Sequence, residues 1–380
     1  MIRLVIITEI IAPYRIPAFN ALAERREVDL HVVFLSENDP TLRQWRIYKD
    51  EIKFFYQILP SWRYRSGQHF ILLNWGMISQ LNRINPNVVL SGGYNYLASW
   101  QAAYWAKKQR VPFILWSEST SFDRRQSYKP VELMKKHFLD YCSTFVVPGK
   151  SSSDYLLKLG VERNRVCTAP NSIDNELFSR AANAARQNEL QTRTRHRLPS
   201  RYFLYVGRLV KEKGVFDLLQ AYAQLEVELR RKVGLVFAGS GSDHRELESR
   251  ALEISDGCIR FLDFVHREDL PEIYALAESL IFPTHSDPWG LVVNEAMACS
   301  LPIVCTGVAG CASDLVEHGW NGFIVETGDV SGLSREMTKL AENSALRMQM
   351  SARSRQRIEA YSPPAWAEGI VQAIRSLSPK

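Results

Sequence analysis

The sequence predicts an α/β fold built from two doubly wound domains. Three observations carry that reading. Apolar runs of strand length alternate with helix-like segments along the chain, the pattern of parallel sheets covered on both faces. The alternation lapses once, at residues 179–199, where the chain is charged and short of large apolar side chains. Strand candidates divide six and six about that lapse, and 380 residues suit two domains better than one.

In chain order, the first-half strands are expected at 4–7, 30–35, 88–90, 113–116, 145–147 and 166–168. The opening apolar run is too short for a signal peptide and is broken by Glu9, so it reads as a buried strand. Several runs end in turn or polar residues: Ser91-Gly92-Gly93, Ser117-Glu118-Ser119, Pro148-Gly149-Lys150 and Ala169-Pro170-Asn171. Open α/β sheets bind ligands at that edge, although any strand-to-helix loop needs such residues. The interdomain connection is expected at 179–199. Second-half strands follow at 202–206, 233–238, 259–262, 279–282, 303–305 and 322–325, and residues 366–377 have the spacing of an amphipathic helix.

Composition narrows the class. An apolar share of 46% and an aromatic share of 11% suit a soluble globular protein, and no apolar run reaches the length of a membrane span. The six cysteines lack a C-x2-C pair and sit among apolar or small neighbours, which points to reduced thiols, a cytoplasmic location and no zinc site. The net charge of +6 is uneven. Residues 1–180 hold 24 Lys and Arg against 16 Asp and Glu, and the remainder holds 23 against 25.

The stretch Asp287-Pro288-Trp289-Gly290-Leu291-Val292-Val293-Asn294-Glu295-Ala296-Met297-Ala298 follows a strand that stops at Pro283. Proline and glycine suit a turn into a helix that starts near Gly290. Such a start aims unpaired N–H groups, at Gly290, Leu291 and Val292, beyond the strand's carboxyl end, where they favour a phosphate. Glu295, one turn further in, is placed to accept hydrogen bonds from a ribose diol. A buried helix capped by Asp287 would leave the same trace.

Gly207-Arg208 closes another strand, and Lys213 stands at the next helix. Two cations there suit a pyrophosphate whose charge grows as a bond to it breaks, while a solvated turn would also read Lys211-Glu212-Lys213. Gly239-Ser240-Gly241 lacks the third glycine of a dinucleotide fingerprint. No D-x-D occurs to hold a metal against a diphosphate, so no cofactor or metal is expected. Val265, in Asp263-Phe264-Val265, is a candidate apolar wall for a base, and His285 a candidate ligand-facing side chain.

These motifs, with Asp314-Leu315-Val316 and Asn321-Gly322-Phe323, come in the order of a known family. The chain resembles the retaining glycosyltransferases of family 4, densely over residues 200–330 and more loosely at Pro13-Tyr14-Arg15-Ile16-Pro17 and Pro170-Asn171-Ser172-Ile173-Asp174. The resemblance implies a GT-B fold, two Rossmann-like domains facing across a cleft. Residues 1–180 would bind the acceptor, 200–362 the nucleotide sugar, and a last helix at about 364–380 would pack back on the first domain. Arg208 and Lys213 would neutralise the diphosphate leaving group beside Gly207, and Glu295 would hold the ribose. Asp287 stands where the family's E-x7-E pair begins with glutamate, and Asp263 where glycine is usual. Glu118 stands at the place of a first-domain catalytic histidine. Arg15 and Asn171 fall on the acceptor side.

The implied partners are a nucleotide-sugar donor and a sugar or lipid-linked acceptor, in the synthesis of cell-surface polysaccharide, lipopolysaccharide or glycolipid. Arg43, Arg46, Lys49 and Lys53 around Phe54-Phe55-Tyr56, with Trp62-Arg63-Tyr64-Arg65 and Lys107-Lys108, suit an anionic membrane surface. That makes the inner face of the membrane a candidate peripheral location. No nucleic-acid-reading motif accompanies the charge. A nucleotide-sugar epimerase or hydrolase, or a non-catalytic nucleotide-sugar-binding protein, would use the same diphosphate site.

Overall fold

Both faces of the first strand are buried, which is why its sequence is a continuous apolar run instead of an alternating one. In the computed structural model, which describes residues 1–39, 45–66, 69–122, 129–254 and 257–377, strand β1 (Ile2–Thr8) turns Leu4 and Ile6 into one core and Val5 and Ile7 into another. After it come β2 (Val28–Phe34), β3 (Phe55–Ile58), an antiparallel hairpin of β4 (Ser61–Ser66) and β5 (His69–Asn74), then β6 (Val88–Ser91), β7 (Phe113–Trp116), β8 (Thr144–Val147) and β9 (Val166–Thr168). The hairpin stands apart from a parallel sheet of order β3-β2-β1-β6-β7-β8-β9.

The chain divides into two compact units, one of Met1–Ser172 with Ser362–Lys380 and one of Ile173–Tyr361. The last helix, Pro363–Arg375, belongs to the first unit. Its Trp366 is fully buried, with ring centroids 5.5 Å from Phe19 and 5.4 Å from Trp116. Residues 378–380, the end of the expected helix, lie outside the described residues.

The second unit carries β10 (Tyr202–Val206), β11 (Gly234–Ala238), β12 (Ile259–Leu262), β13 (Ser279–Phe282), β14 (Ile303–Thr306) and β15 (Gly322–Val325). Their order is β12-β11-β10-β13-β14-β15, all parallel, so the winding reverses between β10 and β13. Crevices at such a reversal, beyond the carboxyl ends of the strands, are where open α/β sheets bind ligands. Tyr202, Leu204 and Val206 face one core and Phe203 and Tyr205 the other, so this sheet too is covered on both sides.

Two expectations about organisation differ from the structure. Residues 179–199 are no linker: helices Asn175–Gln187 and Glu189–His196 occupy most of them and belong to the second unit. Asp174 starts the first helix by accepting the Leu177 N–H at 2.9 Å. That helix packs through Phe178, Ala182 and Ala185, and alanines leave little trace in a search for large apolar residues. The sequence reading also lacks β3 and the β4–β5 hairpin. Phe55 and Ile58 on β3 are exposed, as are Trp62, Tyr64 and Ile71 on the hairpin, so burial does not set their pattern.

Candidate active site

The two loops flanking the reversal in the second unit are stitched together. The loop after β10 runs from Gly207 through a single 3-10 turn, Lys211–Lys213, to the helix Val215–Ala223. The loop after β13 runs from Pro283 to Gly290. The His285 N–H donates to the Glu212 carbonyl oxygen at 2.9 Å. Lys213 Nζ donates to the Ser286 carbonyl oxygen at 2.6 Å and to Asp287 Oδ2 at 2.8 Å. At 7% exposure this ammonium is held in place instead of sweeping through solvent. It ends the 3-10 turn and does not begin the long helix, because Gly214 intervenes in a left-handed conformation.

Arg208 differs. The Tyr205 hydroxyl pins its backbone by donating to its carbonyl oxygen at 2.8 Å, but its side chain is 53% exposed, with Glu212 at 3.9 Å. Its guanidinium is free to follow a ligand. Gly207 is tied through its N–H to the Ala238 carbonyl at 3.0 Å, and Leu209 N–H to the Ser240 carbonyl at 2.9 Å. The Gly239-Ser240-Gly241 turn thus supports the Arg208 loop. His285 is engaged on its own side, Nε2 lying 2.6 Å from Asp217 Oδ2.

Asp287 does not cap the helix that follows. Its Oδ1 accepts the Trp289 N–H at 3.1 Å, an Asx-type turn, while Oδ2 takes Lys213. Both carboxylate oxygens are therefore engaged in positioning the loop and the lysine. Gly290, left-handed, opens the helix Leu291–Ala298 without a side-chain cap. The N–H groups of Leu291 and Val292 have no acceptor inside such a helix and present partial positive charge beyond β13. Leu291 and Val292 pack on the same apolar cluster as Val265 from the loop after β12.

Glu295 sits on that helix, half-buried, and accepts the Tyr274 hydroxyl at 2.8 Å. Burial pushes its carboxyl up to about 7, and the Tyr274 hydrogen bond offsets only part of that rise.

In the first unit, three expected residues meet. Arg15, in the loop after β1, ion-pairs with Glu118 from the loop after β7. Its Nη1 donates at 2.7 Å to Asn171 Oδ1 from the loop after β9. The guanidinium lies 4.2 Å from the Trp116 ring centroid and 5.2 Å from that of Tyr14, within cation–π reach of both. Glu118 is thus placed as the partner of Arg15.

Sequence reasoning missed Asp217, Tyr274, Trp116 and the Ser286 carbonyl. None carries a motif, because each acts through an element packed beside it. Among the described residues, His196, Asp269 and Glu272 come close enough to share a cation, but Arg195 already bridges the two carboxylates at 2.7 and 3.2 Å. All six cysteines are free thiols, and no described helix is long and apolar enough to cross a membrane.

Comparison with known proteins assigns the chain to a family. Residues 20–177 match the family model of glycosyltransferase family 4, and residues 186–357 that of glycosyl transferases group 1. The O-antigen chain mannosyltransferase B of Escherichia coli is 29% identical over 177 residues, 46% of this chain and 45% of that protein. The capsular polysaccharide biosynthesis glycosyltransferase CapM of Staphylococcus aureus is 32% identical over 155 residues, 41% of this chain and 40% of that one. The match thus spans less than half the length of either relative. Anabaena HepE in complex with UDP-glucose superposes with a TM-score of 0.76 at 17% identity, over 99% of this chain and 100% of that one. That likeness shows the fold, GT-B, with its two Rossmann-like domains. With one model matching each unit, the chain belongs to glycosyltransferase family 4.

Proposed function

We propose that the chain is a retaining glycosyltransferase that moves a sugar from a nucleotide-diphosphate donor to an acceptor in cell-surface polysaccharide, lipopolysaccharide or glycolipid synthesis. The observation that carries this reading is Lys213, a buried ammonium fixed at the reversal of the second sheet beside an uncapped helix start. As the bond from the sugar's anomeric carbon to the diphosphate breaks, negative charge grows on the phosphate. Lys213, Arg208 and the Leu291 and Val292 N–H groups oppose it, so no metal is required. An acceptor hydroxyl attacks from the departing group's side and passes its proton to the phosphate oxygen, which retains configuration without a covalent intermediate. Asp287 orients Lys213. Residues 200–362 bind the donor, with Gly207 and His285 on the phosphate side and Val265 against the base. Residues 1–180 bind the acceptor, with Arg15, Glu118 and Asn171 as its polar lining.

The test is a thermal-shift panel of uridine, guanosine and adenosine diphosphate sugars, followed by product analysis with an added glycan or lipid-linked acceptor. One series should raise the melting temperature, and that donor should give a new glycosidic product. Free altered sugar as the sole product would make the chain an epimerase or hydrolase. Stabilisation without turnover would make it a binding protein.

Glu295 gives donor binding a pH dependence. A ribose diol donates to a carboxylate, so binding requires the ionised form. The free protein favours the protonated form, since the carboxyl is raised from 4.5 to about 7. That stabilising term is fully present below the ordinary carboxyl range and is lost as pH rises through about 7. Donor affinity should accordingly rise about tenfold from pH 6 to pH 8. Isothermal titration checks this: Glu295→Gln should flatten the profile, and a profile as steep as wild type in that variant would remove the ribose role.

The first unit is proposed to rest on anionic lipid. Cross-strand pairs Trp62–Leu73 and Tyr64–Ile71 form one outward face of the hairpin, with Trp62, Tyr64 and Ile71 all more than half exposed. Exposed Arg46 and Lys53 precede it in sequence, while Arg43 lies outside the described residues. Apolar rings beside cations suit the headgroup boundary, at about 1 kcal/mol per cation. Arg46→Glu/Lys53→Glu should weaken pelleting with anionic vesicles more than ~10-fold at low salt. Unchanged pelleting of that variant, or none by wild type, would favour a soluble acceptor.

A further inference from the structure

The donor edge of the second sheet leaves a cavity of about 570 Å³ at the opposite edge unexplained. Ser200 and Arg201 lead into β10, Ala277 and Glu278 into β13, and Ser300 and Leu301 come just before β14, so the cavity lies at the amino ends of these strands. Five residues of β10, at about 3.3 Å each, separate it from the Gly207 loop. The fold itself places no ligand at this edge.

Its charge is lopsided. Arg186, Arg193, Arg201 and Arg347 line it with a single carboxylate, Glu278. Glu278 is shared, paired with Arg201 and lying 3.5 Å from Arg347. Arg193 meets Glu189 at 2.8 Å outside the lining. Arg186 has no carboxylate partner among the described residues: it donates to Asn183 Oδ1 and to the carbonyl oxygens of Ala275 and Cys299. Those carbonyls end two helices and offset part of its charge, and desolvation still holds its guanidinium below the usual range. Arg201 Nη1 and Arg193 Nη2 make no hydrogen bond among the described residues, and neither do the hydroxyls of Ser200, Ser300 and Ser351. Rigid guanidiniums with unused donors, ringed by hydroxyls, are the chemistry that recognises phosphate.

We propose that this cavity is a second anion site, separate from the donor site, which binds a small molecule through a phosphate or pyrophosphate group. The assignment does not depend on the transferase reading, since no lining residue belongs to the donor loops.

The experiment titrates inorganic pyrophosphate into the full chain at low salt by calorimetry. Ser351→Glu places an anion in the cavity without removing any arginine that holds a backbone carbonyl. Wild type and Lys213→Ala should each bind at this site, and Ser351→Glu should weaken it more than tenfold while leaving transfer from the donor unchanged in the absence of pyrophosphate. Arg193→Gln, which removes the unused donor together with the bonds to Glu189 and the Pro199 carbonyl oxygen, should weaken it in the same direction. A hexose 6-phosphate that binds more tightly than inorganic phosphate identifies an organic ligand, and equal affinity identifies the free anion; either supports the site. Equal pyrophosphate binding by wild type, Ser351→Glu and Arg193→Gln, or complete loss in Lys213→Ala, overturns it.

Discussion

Lys213→Ala should lower turnover about 10²–10³-fold, the equivalent of about 2.7–4 kcal/mol of transition-state stabilisation. Lysine has three N–H donors, and two of them are committed to Ser286 and Asp287. The third is held ready, in a group only 7% exposed, for an oxygen of the departing diphosphate. Alanine removes that donor and also leaves the Asp287 carboxylate uncompensated beside the incoming phosphate. Lys213→Ala/Asp287→Ala should therefore recover part of the loss, and the recovered part measures the repulsion. Arg208→Ala should cost less, because a guanidinium 53% exposed works against water. Steady-state kinetics with saturating donor decides the matter. Turnover of Lys213→Ala within about threefold of wild type, well under 1 kcal/mol, would remove lysine from the chemistry.

The second large effect is expected at Gly214→Ala. Its φ of +69° is left-handed, which costs an L-residue about 1–2 kcal/mol. A Cβ there would also lie 1.9 Å from the Pro283 carbonyl oxygen, a contact no side chain rotation relieves. Either the Lys213 turn or the end of β13 must move. The melting temperature should fall by roughly 5–10 °C, as about 2–3 kcal/mol would produce in a unit of this size. Turnover should fall with it, because the shift separates Lys213 from Ser286. A melting temperature within about 1 °C of wild type would show that the two loops are not stitched as described.

Most strands were legible because burial on both faces writes continuous apolar runs, while β9 and β12 are only partly buried. Every expected strand, from 4–7 to 322–325, has its counterpart in β1 to β15. Edge strand β3 and the outward face of the hairpin were not legible, since Phe55, Trp62 and Tyr64 answer to something other than core packing. In the site, loop motifs singled out Gly207, Arg208, Lys213, His285, Asp287 and Gly290, and the structure joins the two loops that carry them. The sequence could not say that Asp287 spends both oxygens on Lys213 and Trp289, or that His285 is taken by Asp217. Those partners come from adjacent elements, and spacing along one chain segment does not encode them. Tyr274 is the same case: its hydroxyl reaches Glu295 only because helix Leu270–Ala275 lies beside helix Leu291–Ala298.

The most direct test of the diphosphate grip is a crystal structure with a nucleotide-diphosphate sugar bound. The account predicts a phosphate oxygen within about 3 Å of Lys213 Nζ and of the N–H of Leu291 or Val292. A diphosphate bound with Lys213 still engaged only by Ser286 and Asp287, and with the helix start empty, would contradict it.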